Sequence, residues 1–187
     1  GLLRQQRTVG GAGIRILTGA ITSPTLIEQI TRFLTRFPQA RWHAYEPAGR
    51  ANAHGGARLA FGRPHDAVYD FTQAQVVLSL DGDFFSPTAT PGSLRYAHDF
   101  VEGRRVKGTQ GQMNRLYAVE STPTLVGAMA DHRWPMRASE VYGQTLALAA
   151  ALGVPGVTQS GETKVPQAQL EALVRDLQAN RGRSIVI

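Results

Sequence analysis

Apolar residues along the chain fall into two rhythms. Short runs rich in β-branched or aromatic residues occur at 14–17, 42–45, 76–80, 116–119 and 185–187. Each has the length of a strand and is too short for a stable helix. Between them the spacing changes. Leu26, Ile27, Ile30, Phe33, Leu34 and Phe37 fall on one face of a 3.6-residue helix, with Ser23 placed to cap it and Pro24 suited to its first turn. Leu170, Leu173, Val174 and Leu177 form a second stripe, closed by Asn180 and Gly182. Ser139 reads as the cap of a third helix over 141–152, ended by Gly153 with Pro155 beyond it. Residues 153–165 read as a surface loop.

Strands alternating with helices predict an α/β fold: a Rossmann-like three-layer sandwich with a mainly parallel five-stranded sheet. Residues 1–13 read as a linker and 14–187 as one domain. A first residue that is not Met and a strand at 185–187 suggest a piece of a longer protein. Right-handed crossovers gather the strand-to-helix turns at the carboxyl edge of the sheet. That edge collects Thr18-Gly19 with Thr22-Ser23, Glu46-Pro47, Asp81-Gly82-Asp83 and Glu120-Ser121-Thr122. After the last turn come a short helix, Ala130-Asp131, and a break at Trp134-Pro135.

Composition narrows the classes. The chain has 187 residues, 42% hydrophobic and 18% charged, which is ordinary for a globular domain and argues against disorder. A formal net charge of +6 raises a nucleic-acid reading. The arginines are scattered, however, and no aromatic residues interleave with the one cluster, Arg104-Arg105-Val106-Lys107. That cluster reads as a solvated helix end favouring the negative pole of the dipole, so no nucleic-acid partner is expected. Zero cysteines exclude disulfides, thiolate zinc sites and a cluster ligated by this chain. No apolar run approaches about 20 residues, so no direct membrane insertion is expected.

Gly10-Gly11-Ala12-Gly13 resembles a dinucleotide fingerprint but precedes the first strand, where a phosphate-binding turn must follow it. Asp81 and Asp83 read either as a carboxylate pair able to hold a hard cation or as caps of the next turn. The histidines, His43, His54, His65, His98 and His132, show no ligand spacing and read as surface or hydrogen-bonded groups. Neither Ser121 nor Ser139 lies in a nucleophile elbow. Glu120 can accept hydrogen bonds from a nucleoside while Thr122 offers a phosphate donor. Equally, Thr122 can cap a helix begun by Pro123, with Glu120 a turn residue. Both readings stay open.

Several phrases together resemble a known family. Leu80-Asp81-Gly82-Asp83, Glu120-Ser121-Thr122-Pro123-Thr124, Ala130-Asp131 and Trp134-Pro135-Met136-Arg137 run in register with the guanosine-binding segment of molybdopterin-guanine-dinucleotide oxidoreductases. That segment reads D-P-R-x-T-x-T, then A-D-x-x-L-P-x-R-P-G-T-D. Here Glu120-Ser121-Thr122 replaces D-P-R and Ala138-Ser139-Glu140 replaces P-G-T-D. A degenerate branch is more similar: the molybdopterin-like half of the iron–sulfur subunit of alternative complex III. The phrases Ala40-Arg41-Trp42-His43, Ser79-Leu80-Asp81-Gly82-Asp83-Phe84, Gly92-Ser93-Leu94-Arg95-Tyr96-Ala97 and Met113-Asn114-Arg115-Leu116-Tyr117 carry that likeness.

The resemblance implies a cofactor-free domain with no activity of its own, with iron–sulfur clusters elsewhere in the parent protein. It implies a position on the periplasmic side of the membrane, among the other subunits of an electron-transfer complex. The vestigial cofactor-binding residues it marks are Asp81, Asp83, Glu120, Ser121, Thr122, Asp131, Ser139 and Glu140. The alternative it leaves is a working molybdenum oxidoreductase domain that binds molybdopterin guanine dinucleotide.

Overall fold

The structure is a computed structural model and describes residues 1–47, 49–106, 111–157 and 163–187. It divides into two units, Gly1–Asp66 and Ala67–Ile187. Both contain parallel strands joined through helices, as the alternation predicts for an α/β chain. The single five-stranded sheet is corrected: among the described residues the strands form one sheet of two and one of four.

In the first unit, helix α1 (Leu2–Thr8) occupies most of the stretch read as a linker. Strand β1 (Arg15–Thr18) leads through helix α2 (Pro24–Arg36) to strand β2 (Arg41–Ala44) and helix α3 (Ala51–Phe61). The two strands pair in parallel, Arg15 opposite Arg41 and Leu17 opposite His43. The α2 cap is the expected one: Ser23 Oγ accepts the Leu26 amide at 3.4 Å and Pro24 opens the helix. Ile30, Phe37 and Ala40 are buried, and the rings of Phe33 and Phe37 stand 4.8 Å apart. Gly11 (φ +83°) serves this core, since a Cβ there would lie 2.7 Å from that of Phe37. The glycines at 10–13 are therefore a packing turn.

In the second unit, strand β3 (Val76–Leu80) leads through helix α4 (Ser93–Glu102) to strand β4 (Arg115–Glu120). A single short turn of helix, α5 (Leu125–Met129), precedes strand β5 (His132–Pro135). Helices α6 (Ala138–Ala151) and α7 (Gln167–Ala179) then return the chain to strand β6 (Ser184–Val186). All pairings are parallel, in the order β5-β4-β3-β6. The pleat sends alternate residues to opposite faces. Val76, Leu78, Tyr117 and Val119 pack with Leu148, Leu170, Leu173 and Leu177 on one side. Val77, Leu116 and Ala118 pack with Phe71, Phe84, Tyr96, Phe100 and Val126 on the other. With both faces covered, β3 is an almost unbroken apolar run, as a central parallel strand must be.

Three local expectations change. The break at Trp134-Pro135 is the end of strand β5, an edge strand that tolerates a proline as its last residue. Helix α6 begins at Ala138, with Glu140 accepting the Arg137 amide at 3.0 Å, so Ser139 lies inside the first turn and does not cap it. Arg104 is not a solvated helix end: its side chain is 16% exposed and bound to Asp131. Lys107 of the same cluster, and 158–162 of the expected loop, lie outside the described residues.

Candidate functional site

The carboxyl edge of the four-stranded sheet brings together most of the residues that the sequence marks. Asp81 follows β3 with φ of 63°, a left-handed conformation uncommon outside glycine and best tolerated by Asp and Asn. Its amide donates to the Val119 carbonyl at 2.7 Å. Its carboxylate receives the Ser121 amide at 2.8 Å and the Ser121 hydroxyl at 3.0 and 3.1 Å to its two oxygens. Asp81 and Ser121 thus clamp the ends of β3 and β4 together. Beneath them buried Ser79 closes the turn, its hydroxyl donating to the Gly82 carbonyl (2.8 Å) and accepting the Gly82 amide (3.1 Å).

Asp83 turns inward. Its carbonyl accepts the Ser86 amide and the Thr90 hydroxyl, each at 3.2 Å, while its Oδ1 is buried without a partner.

Glu120, the last residue of β4, is 2% exposed. One carboxylate oxygen accepts the Thr124 hydroxyl at 2.7 Å and its amide at 3.2 Å; the other pairs with Arg133 Nε on β5. Thr124 in turn caps α5 by accepting the Gly127 amide at 3.2 Å. The cap expected at Thr122 therefore sits two residues later, and Thr122 is exposed. The Glu120 carbonyl accepts the Met136 amide at 3.1 Å, which draws the start of α6, with exposed Ser139 and half-buried Glu140, to the same edge.

Asp131 belongs elsewhere. It precedes β5 and therefore stands at the amino edge of the parallel sheet, away from Asp81 and Glu120. Arg104 grips it with two parallel bonds of 2.8 Å, and the Leu116 amide adds a third at 2.8 Å. Arg104 also donates to the Met129 carbonyl and lies 4.8 Å from the centre of the Phe100 ring. Burial pushes the Asp131 carboxyl up, but the Arg104 fork and the Leu116 amide outweigh it and hold the group below the ordinary value.

On one face of the sheet, Tyr117 stacks with His132 (4.9 Å between centroids) and Trp134 (5.7 Å). The Tyr117 hydroxyl donates to Asp176 at 2.8 Å, and Arg115 pairs with the same oxygen at 2.6 Å. Burial, then the Asp176 hydrogen bond, push the phenol up to about 12. The remaining histidines that have named partners contact Asp66, Arg63 or Asp99.

Sequence reading missed Arg133, Thr124, Gly127 and Arg104. Gly127 is essential to the Glu120 arrangement, because a Cβ there would overlap the Glu120 carboxylate. The available signal was the A-D-x-R spacing, which places Arg133 beside β4 only once 132–135 is known to be a strand.

A guanosine cradle needs carboxylate oxygens free to accept the N–H donors of a base. Asp81, Glu120 and Glu140 each already accept donors from this chain. The donors to these three groups come from the turns themselves and from Arg133 on β5, and Asp83 Oδ1, buried without a partner, is the exception. No family model matches the chain, and no curated protein matches it. Among the described residues, no helix is long and apolar enough to cross a membrane.

Proposed function

We infer that the chain is a molybdopterin-oxidoreductase-like domain kept as a cofactor-free scaffold. Its parent on this reading is the iron–sulfur subunit of a quinol-oxidising complex, placed on the periplasmic side of the membrane. The Rossmann-like character of the second unit belongs to the same proposal. One observation supports it: three of the four carboxylates at the would-be cofactor edge, Asp81, Glu120 and Glu140, already accept hydrogen bonds from Ser121, Thr124, Arg133 and the Arg137 amide. An edge wired this way stabilises the turns and leaves few acceptors for a ligand. With no cysteine in the chain, electron transfer in such a parent would run through clusters held by other residues.

The alternative, a domain that binds molybdopterin guanine dinucleotide, is favoured by one detail: the buried, unpartnered Oδ1 of Asp83. Calorimetry separates the two. Guanosine diphosphate added to the purified chain is expected to give no binding heat below roughly millimolar, where about 4 kcal/mol of affinity remains. Micromolar binding abolished by Asp83→Asn or Ser121→Ala would replace the scaffold reading with the cofactor-binding one.

A further inference from the structure

Within the first unit, the two-stranded ribbon has a cationic face that no element of that unit covers. Arg15 and Leu17 on β1 and Arg41 and His43 on β2 point the same way, since alternate residues of paired strands share a face. All four are exposed, Leu17 at 72%, whereas Ile16, Thr18 and Trp42 on the other face are half-buried. Parallel strands are ordinarily covered on both faces, usually by helices.

The register adds an electrostatic fault. Arg15 and Arg41 are direct partners across the ladder, and like charges placed opposite each other destabilise a strand pair. Arg15 donates to the Ala12 and Ile14 carbonyls, but among the described residues neither arginine has an ion-pair partner. Relief from within the unit is not at hand. Residues 1–66 hold nine arginines and three carboxylates, which accounts for the whole formal charge of +6. Each carboxylate is engaged elsewhere: Glu28 by Arg32, Asp66 by Arg50 and His54, and Glu46 by the Ala20 amide.

We propose that this face is a docking surface for an acidic amphipathic helix of a partner protein. Carboxylates from the helix neutralise the Arg15–Arg41 pair and an apolar side chain covers Leu17. Arginine suits this role because its planar fork binds carboxylate in two-point fashion. A helix fits better than a nucleic acid, because Trp42, the larger stacking ring of the ribbon, lies on the opposite face. The assignment holds whether or not the carboxyl edge of the second unit binds a nucleotide.

The test is fluorescence anisotropy with the full 187-residue chain and a labelled helical peptide bearing glutamates on one face and leucines on the other. The acidic peptide is expected to bind, and a version with lysine in place of glutamate is not. R15Q/R41Q should weaken binding about tenfold or more, L17S by a smaller factor, and R58Q on α3 should leave it unchanged. R15Q/R41Q should melt at the same temperature as the parent chain or higher, because it removes a like-charge pair; that measurement confirms the fold. Equal binding of the lysine peptide, retention in R15Q/R41Q, or no binding up to about millimolar peptide overturns the proposal. So does a single-stranded oligonucleotide or an anionic vesicle that binds more tightly through the same two arginines.

Discussion

Gly127 leaves open, one turn into α5, the space that the carboxylate of Glu120 fills. The two residues are seven positions apart, yet a single added methyl group would overlap the buried acid. Gly127→Ala is therefore expected to displace Glu120 from Arg133 and Thr124 together. The cost should be roughly 2 to 4 kcal/mol of unfolding free energy, combining overpacking with a broken buried ion pair. Denaturant titration measures it. Adding Glu120→Ala makes room for the methyl group, so the double variant should lose clearly less than the sum of the single losses.

Arg104 and Asp131 form a partly buried fork, their side chains 16% and 26% exposed. Arg104→Ala is expected to cost about 1 to 3 kcal/mol, because Asp131 keeps the Leu116 amide but loses its charged partner. The pH dependence has a defined sign. The folded carboxyl is held below its unfolded value of about 3.9, so its contribution is complete above that pH and is lost as pH falls through the folded value. In Asp131→Asn, unfolding free energy plotted from about pH 4 down to pH 2 should be flatter than in the parent.

Ultraviolet difference titration of the parent chain against Tyr117→Phe should isolate the Tyr117 phenol, ionising at about 12. Its stabilising contribution is present below the ordinary value of about 10 and disappears as pH rises through the folded one. Burial is the leading cause and Asp176 the second. Asp176→Asn should therefore move the titration only part of the way back; full return to the ordinary value would show that burial contributes little.

Asp81 combines a left-handed backbone with three hydrogen bonds from Ser121. Asn tolerates that backbone and keeps an acceptor, whereas Ala does neither. Asp81→Asn should stay within about 0.5 kcal/mol of the parent and Asp81→Ala should lose roughly 1 to 2. A thermal melt of the two variants in parallel distinguishes these outcomes.

How far each element was legible follows from where its information lies. Helices α2 and α7 announce themselves because one stripe of each meets a core, with Ile30 on α2 and Leu170, Leu173 and Leu177 on α7 buried. Helix α3 has no buried residue, and Gly55 and Gly56 lower its propensity, so no periodicity marks it. Strand β5 was hidden by alternation of a different kind: His132 and Trp134 stack with Tyr117 while His132, Arg133 and Pro135 remain exposed. The partition of the strands was not readable at all, because pairing is a non-local choice among runs of similar composition. The same holds at the candidate site. Asp81, Glu120 and Ser121 could be placed at the carboxyl edge from strand order alone. The partners that satisfy them depend on neighbours brought in by β5 and α5, and the link from Asp131 to Arg104 joins residues with no shared local pattern.

The strand order β5-β4-β3-β6 has a kinetic consequence. The chain lays down β3, β4 and β5 in one direction, each beside the strand before it, so those ladders close over short distances. Strand β6 pairs with β3, and the Val76–Ser184 register spans nearly the whole second unit. Until that pairing forms, one edge of the buried strand β3 stays open. Closing so long a loop is slow relative to local contacts, and an open apolar edge is the place where intermediates stick to one another. Refolding should show a fast phase that assembles β3 to β5 and a slower one that seats Ile185 and Ile187 against the Phe84–Phe100 core. Aggregation during refolding should fall when the protein is diluted before the second phase.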